Sequence, residues 1–580
     1  MSSSKLTIMK RIHILVYLFA ISVVVSCGKE FLDKAPKGIV TEELLATPEN
    51  AEKMVIAAYA AQGNERYYLH PLTPWPYGDL RGGDAYKGGA GVGDLPEWNT
   101  AETFVNMTTD EGGVAGKWAI EYQCISRANQ ALAILNAVDF PQKNARIGEM
   151  KFLRANNYFW LKVNFRYVPF IDENVPVNEY NKVSNDLSDE QLWGKIIEDL
   201  EFAAANLPET NNDEGVGRPT RYSAKAYLAK VLLYAAYEQN ESNQVVNINN
   251  TKLNQVVTLC DEVLTGSGKN LFTDFASNFS CESQNGQESL WAIQFSHNDG
   301  TPTGRINGTN EVVYPMTPEY GCCGFHTPSQ NLVNAFKTVN GVPDFDNYNN
   351  TNITGAANIK SFTIDPRLLH TVAMDGLPYK YKTDFVFNGL TWPRQPESYG
   401  SFMSMKETVP FDSECYQPVN PWKSDSKNRD VLRIDDVILF KAEALIQLNR
   451  QNEALTLINA IRARAAQSTA RLVDKNAQPT GNFDIKPYIN GVNINWTKEN
   501  AWKALKWERR LEMACEGFRA YDLMRWGIMA EEMNAYLAVE KNRRPHLANA
   551  IFTKGRDEYL PIPKSQIDLS QNLYKQNHGY

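Results

Sequence analysis

Apolar residues recur every three or four positions along much of this chain. In "RIDDVILFKAEALIQL", Ile434, Ile438, Ala442, Leu445 and Leu448 fall on one helical face. A polar turn, Asn449 to Asn452, leads into "EALTLINAIRARA", where Ala454, Ile458, Ile461 and Ala465 make a second stripe. Two stripes joined by a short turn predict an αα-hairpin, and Ala442, Ala444, Ala454 and Ala460 let its helices approach closely. The same period appears upstream. "RPTRYSAKAYLAKVLLYAAYEQ" begins with Thr220 as a helix cap after Pro219 and aligns Ala224, Tyr227, Leu228, Val231 and Ala235. "MKFLRANNYFWLKVNFR" turns Leu153, Tyr158, Leu161 and Phe165 toward a core. It stops at Val168-Pro169, because proline disfavours helix in its predecessor. "LWGKIIEDLEFAAANLP" is a further helix, ended by Pro208. The texture is tetratricopeptide-like without a strict period of about 34 residues. The prediction is an all-α fold of degenerate helical hairpins stacked side by side, with a few short strands.

The helical period lapses twice. "HPLTPWPYGDLRGGDAYKGGAGVGDLPEWN", His70 to Asn99, is too rich in Pro and Gly for regular helix. From about Asn240 to Asp430 the chain is rich in Asn, Gly, Pro and Thr, with strand-like pieces such as Leu290 to Ser296. Long irregular segments in a compact protein are usually functional loops, so these two stretches are where a ligand face is expected. The division that follows is a leader over 1–26, a helical region over 27–240, an irregular ligand-binding region over 241–430, and a helical region with a non-helical tail over 431–580. In that tail Pro561 and Pro563 fix an extended path that seals a core edge.

The N-terminus has a different pattern. Lys5, Lys10 and Arg11 precede an apolar run from Ile12 to Val25, then Ser26 and Cys27. A basic segment, an apolar segment and a small residue form the plan of a secretory signal. The run is short of the roughly 20 residues a membrane-spanning helix needs. Beyond it the composition is that of a globular protein: 43% hydrophobic and 22% charged residues. A net charge of -8 argues against a nucleic-acid partner. Eight cysteines in 580 residues do not make a disulfide framework. Setting Cys27 aside leaves an odd number, so at least one thiol is unpaired within the chain. Cys322-Cys323 are adjacent and lack further metal ligands nearby.

Several stretches carry a family resemblance. Val24-Val25-Ser26-Cys27 resembles the lipobox of bacterial lipoproteins, and Gly28-Lys29-Glu30 with Asp33 resembles the charged tag that sends such proteins to the outer leaflet. "GRPTRYSAKAYLAKVLLYAA", "WERRLEMACEGFRAYDLMRWG" (Trp507 to Gly527) and "YLPIPKSQIDLSQNLYKQNHGY" look like signature segments of the SusD/RagB family of outer-membrane nutrient-binding lipoproteins. "LRANNYFWLKVNFRYVPF", "DPRL" at Asp365 to Leu368, "FKAEAL" and the opening "CGKEFLDKAPKG" match in family order. The resemblance implies lipidation at Cys27, an α-superhelix with an irregular ligand-binding part, and no enzymatic activity. It also implies a place on the outer membrane facing the cell exterior. The implied partner is a SusC-type TonB-dependent barrel, which receives large nutrients, most often glycans.

The residues themselves show little chemistry. None of the seven histidines has the helical zinc spacing of a metalloprotease, and no nucleophile-elbow Gly-x-Ser-x-Gly is present. "TGSGKN", Thr265 to Asn270, lacks the first glycine of a phosphate loop and reads as a turn. "DFDNYNN", from Asp344, lacks the glycine of an EF-hand and reads as a polar loop, with a structural cation as the alternative. No cofactor or metal is expected. The 67 acidic residues leave a glycosidase's carboxylate pair open as a rival reading. Capture of peptides or glycoproteins is a second rival, and a purely structural scaffold facing the periplasm a third. In the signature segment Arg509/Glu512, Glu516/Arg519 and Asp522/Arg525 stand three apart, a spacing read as structural ion pairs rather than an anion site. Glycan binding needs broad rings with polar companions. The first loop offers Trp75, Tyr77 and Trp98 with Asp79, Arg81 and Asp84; the second zone offers Tyr320, Phe325 and Trp392. The competing role for any such ring is to anchor its loop to the core.

Overall fold

A computed structural model describes residues 46–63, 74–211, 215–301, 305–418 and 423–580. The leader, Cys27, the "CGKEFLDKAPKG" opening and residues 70–73 of the first irregular stretch lie outside the described residues.

The helices expected from the period form. α1 (Pro48–Gly63), α2 (Gly112–Ala137), α3 (Lys143–Phe165), α4 (Asp189–Asn206) and α5 (Arg221–Ala236) each pack against the next. α6 (Asn250–Gly266) follows, then α7 (Ile434–Gln447), α8 (Gln451–Gln467) and α9 (Lys498–Glu512). α6 packs directly on α7, so the stack continues past residues 267–433, which loop out of it. The fold is an all-α superhelix of tetratricopeptide-like hairpins. Thr220 caps α5 as expected: its hydroxyl accepts from the Ser223 N–H at 3.2 Å, and the Ser223 hydroxyl accepts from the Thr220 N–H at 2.9 Å. The predicted stripes on α7 and α8 are buried, from Ile434 to Leu445 and from Ala454 to Ala465. α3 ends at Phe165, with Arg166 as its C-cap, just ahead of Val168-Pro169. No described helix is long and apolar enough to cross a membrane.

α6 departs from the expectation of an irregular second zone from residue 241. Asn249 caps it by accepting from the Thr251 and Lys252 N–H groups, and Leu253, Val256, Cys260 and Val263 are its buried stripe. The turn reading of Thr265 to Asn270 matches the structure: α6 ends at Gly266, and Gly268 has a φ of 68°. The loop from Asp344 closes around an ammonium: Lys337 Nζ donates to the carbonyls of Tyr348 at 3.0 Å and Thr351 at 2.5 Å. Among the described residues no group of three or more His, Cys, Asp or Glu side chains could hold a metal.

The looped-out region returns to the stack through short strands. β1 (Ala85–Gly88) pairs antiparallel with β3 (Phe325–Pro328), and β2 (Ser289–Ile293) with β5 (Arg429–Arg433). β4 (Lys382–Val386) forms a hairpin with Pro378–Tyr379. Disulfides join Cys281 to Cys415 and Cys322 to Cys323, while Cys124, Cys260 and Cys515 are buried thiols.

The signature segment is tied in by buried charge. Arg367 of "DPRL" pairs with Asp365 at 2.6 Å, Glu508 at 2.5 Å and Glu512 at 2.8 Å. Glu512 also takes Arg464, which reaches Glu288 at 2.5 Å. Glu516 meets Arg433 at 2.5 Å and Lys406 at 2.7 Å. Of the three pairs expected at spacing three, Asp522–Arg525 forms, at 3.0 Å. Arg509 instead serves Asp522 and Asp436, and Arg519 meets Glu532 at 3.3 Å. α9 ends at Glu512, so the later charges do not continue its face. A buried charge also needs several partners at once, which neighbours on one helix do not supply. The tail follows the expected path, with Leu560 and Ile562 buried and the Leu560 N–H donating to the Asn164 carbonyl at 2.8 Å.

Candidate functional site

The first irregular stretch is fastened to the body of the protein. Trp75 opens a short helix, Trp75–Gly78, and is fully buried. Its ring stacks on His326 with 4.5 Å between centroids and meets Trp98 edge-on at 4.7 Å; Trp98 meets Phe325 edge-on at 5.4 Å. Asp79 accepts from the Gly517 amide at 2.9 Å and pairs with His326 Nε2 at 3.0 Å. Arg81 donates to the carbonyls of Asp557 and Glu558, and Asp84 pairs with Arg510 at 2.7 Å. Tyr77, Trp98, Tyr320 and Phe325 are buried as well. Trp75, Tyr77, Trp98, Tyr320 and Phe325, with Asp79, Arg81 and Asp84 as polar companions, are the candidate ligand contacts of the sequence, against the competing role of anchoring their loops to the core. The structure buries all of these: Trp75, Trp98, Tyr320 and Phe325 pack on other rings, Tyr77 lies in the main core, and each charge has a partner in the C-terminal region or on β3. They anchor the loop. The residues on which this clamp closes lie hundreds of positions away, and local sequence carries no sign of them.

Charge reinforces the clamp. Burial opposes a charge on His326, but the carboxylates of Glu407 and Asp79 outweigh it and lift the imidazole to about 10. Burial raises Asp79 to about 6, with His326 opposing.

The two irregular stretches nonetheless meet at one surface. β1 carries the glycine-rich turn 88–94 beside β3. Lys87 Nζ holds that turn from inside, donating to the carbonyls of Gly88 at 3.0 Å, Gly91 at 2.8 Å and Asp94 at 2.5 Å. Burial lowers this ammonium to about 8. Outside, Asp94 pairs with Arg394 at 3.1 Å, two residues beyond Trp392.

Trp392 is the predicted ring that reaches solvent; it is half-buried. It lies 4.7 Å from Phe385 of β4, and Phe385 lies 5.1 Å from Phe411. Tyr320 is the buried hub beneath them, 6.2 Å from Phe385, 6.1 Å from Phe411 and 5.7 Å from Tyr416. Its hydroxyl donates to the Val409 carbonyl at 2.9 Å. The Tyr416 hydroxyl donates to the Glu319 carbonyl at 2.6 Å, and the Met316 N–H to the Trp392 carbonyl at 2.8 Å, so three loops are held in register. Phe385, Phe411 and Tyr416 are each half-buried, and Leu390, two residues before Trp392 in the chain, is 75% exposed. Lys382 pairs with Asp412 and places its ammonium 5.3 Å over Phe411. The result is an arc of partly open rings with charged groups at its rim. Phe385, Phe411 and Tyr416 were absent from the sequence reading. The density of aromatics between residues 379 and 416 was the available signal, but it does not say which rings face out.

Such a surface stacks on flat apolar faces and hydrogen-bonds at the edges. Comparison with known proteins places the chain. It is 23% identical to SusD-like protein P25 of Formosa agariphila over 99% of this chain and all of that one. A solved laminarin binding SusD-like protein superposes with a TM-score of 0.63 at 22% identity, covering 92% of this chain and 100% of that one. Surface glycan-binding protein A from Bacteroides thetaiotaomicron, in complex with laminarihexaose, superposes with a TM-score of 0.64 at 18% identity, covering 91% and 99%. Residues 30–233 match a SusD-like family described as starch-binding and associating with the outer membrane. Residues 287–580 match the SusD family itself, and the chain belongs to that family.

Proposed function

We propose that the protein is a non-catalytic surface lipoprotein that captures an oligosaccharide on the Trp392 arc and delivers it to a SusC-like TonB-dependent transporter. The observation that carries this reading is the arc itself: Trp392, Phe385, Phe411 and Tyr416, partly open, on loops fixed from behind. In this reading Trp392 touches the sugar and Tyr320 holds the platform. Trp75, Tyr77, Asp79, Arg81, Trp98 and Phe325 keep the layer rigid, so little order is lost on binding. Acyl chains on Cys27 tether the protein outside the outer membrane, each buried methylene adding about 0.8 kcal/mol. Delivery requires release, and a dissociation constant from micromolar to millimolar, roughly -8 to -4 kcal/mol, is within reach of a few stacked rings.

The test is a glycan array on the purified mature protein and on Trp392→Ala, with a reducing-end assay on every bound glycan. The reading predicts binding that the variant loses and no new reducing ends. Equal binding by the variant would remove the arc from the account, and new reducing ends would make the protein a hydrolase.

A further inference from the structure

Between the helical stack and the looped-out layer lies a recess of about 790 Å³, mouth included. Trp160 of α3, Phe279 and Phe518 line it with aromatic surface. Its polar wall is unevenly satisfied. The acidic groups are engaged: Glu407 with His326, Asp430 with the Ser289 hydroxyl, and Glu516 with Arg433 and Lys406. Donors are left over. Trp75 is 1% exposed, and its indole N–H has no acceptor. The Asn278 amide nitrogen is buried without a partner. Lys427 is 9% exposed; its charge favours the carboxylates of Asp425 and Asp430, but its ammonium makes no hydrogen bond or salt bridge to a described residue.

A buried donor left without an acceptor loses its hydration and gains nothing in return, so two of them and an ammonium around one space is an unfavourable arrangement unless something supplies oxygens. What is wanted there is lone pairs, and beside an ammonium, negative ones. A carboxylate offers about four lone-pair sites and no donor. The geometry points to a second ligand site, separate from the Trp392 arc, that takes a single carboxylated sugar ring. The carboxylate turns to Lys427 and the N–H donors, and the ring lies against Trp160 and Phe518. The inference stands independently of what the arc binds.

Calorimetric titration of the full mature protein with glucuronate, glucose and acetate tests it, with thermal melts run on each variant. Glucuronate is expected to bind at least about tenfold more tightly than glucose or acetate. Lys427→Met should weaken it at least about tenfold and Trp75→Phe several-fold, while Trp392→Ala leaves it unchanged. Should Lys427→Met fail to fold, Trp75→Phe decides. Equal binding of glucose, binding of acetate as tight as glucuronate, no glucuronate heat up to about 10 mM, or glucuronate affinity untouched by these substitutions would overturn the site.

Discussion

The Trp75 indole lies nearly parallel to the His326 imidazole, with 4.5 Å between centroids and 18° between planes. The stack joins the first irregular stretch to β3, and the same imidazole bridges Asp79 and Glu407. His326 is held up to about 10, against 6.5 for an ordinary histidine. Stability from this site is therefore fully present below about pH 6.5 and is lost as pH rises toward 10. Urea unfolding of wild type and His326→Gln across that window is the check. The wild-type advantage should amount to several kcal/mol at pH 6 and shrink steadily above it; a constant difference would mean the imidazole is neutral throughout.

Lys230 gives the opposite slope. Its ammonium is buried without a hydrogen-bond partner, 4.7 Å from the Phe159 ring and 5.1–5.3 Å from Phe518, Trp160 and Tyr227. Burial pulls it down to about 8; Asp436 and Asp522 favour its charge while Arg509 and Arg525 oppose it. The folded state resists protonation, so stability gains with pH between about 8 and 10.5. Lys230→Met is expected to stabilise the protein by about 2–3 kcal/mol at pH 7, a gain that fades by pH 10.

Arg367 is the keystone of the buried charge network. Arg367→Met leaves Asp365, Glu508 and Glu512 short of a cation, and a loss of about 3–5 kcal/mol is expected in urea unfolding. Adding Glu512→Gln should recover part of that loss. A decrease under 1 kcal/mol in the single variant would show that neighbouring arginines move in to compensate.

Gly78 and Gly517 bring two backbones into contact: a Cβ on Gly78 would overlap the Gly517 carbonyl, and Gly517 has a φ of 82°. Gly78→Ala should cost about 1–3 kcal/mol, because the added methyl meets backbone rather than a flexible side chain. Gly93→Ala, with nothing within 4 Å of its added Cβ, is the control and should melt like wild type.

The helices were legible because burial on one face imposes a period that the chain must display. α6 escaped notice because Asn249-Asn250 and Gly266-Ser267-Gly268 frame it with turn residues, drawing the eye from its Leu253 to Val263 stripe. The site was legible only as a region. Whether a loop ring faces solvent depends on partners such as Gly517 for Asp79, 438 residues away, and Asp557 for Arg81, 476 away. No local pattern encodes those, so Trp75 and Trp392 look alike in sequence and have opposite surroundings in the fold.

The central claim is that partly open rings on the Trp392 arc hold the sugar. Its most direct test is calorimetric titration of a glycan identified by the array into wild type and into Trp392→Ala/Tyr416→Ala, with matched thermal melts. The account predicts at least a tenfold loss of affinity, about 1.4 kcal/mol, in a double variant that still melts cooperatively. Wild-type affinity in the double variant would contradict it.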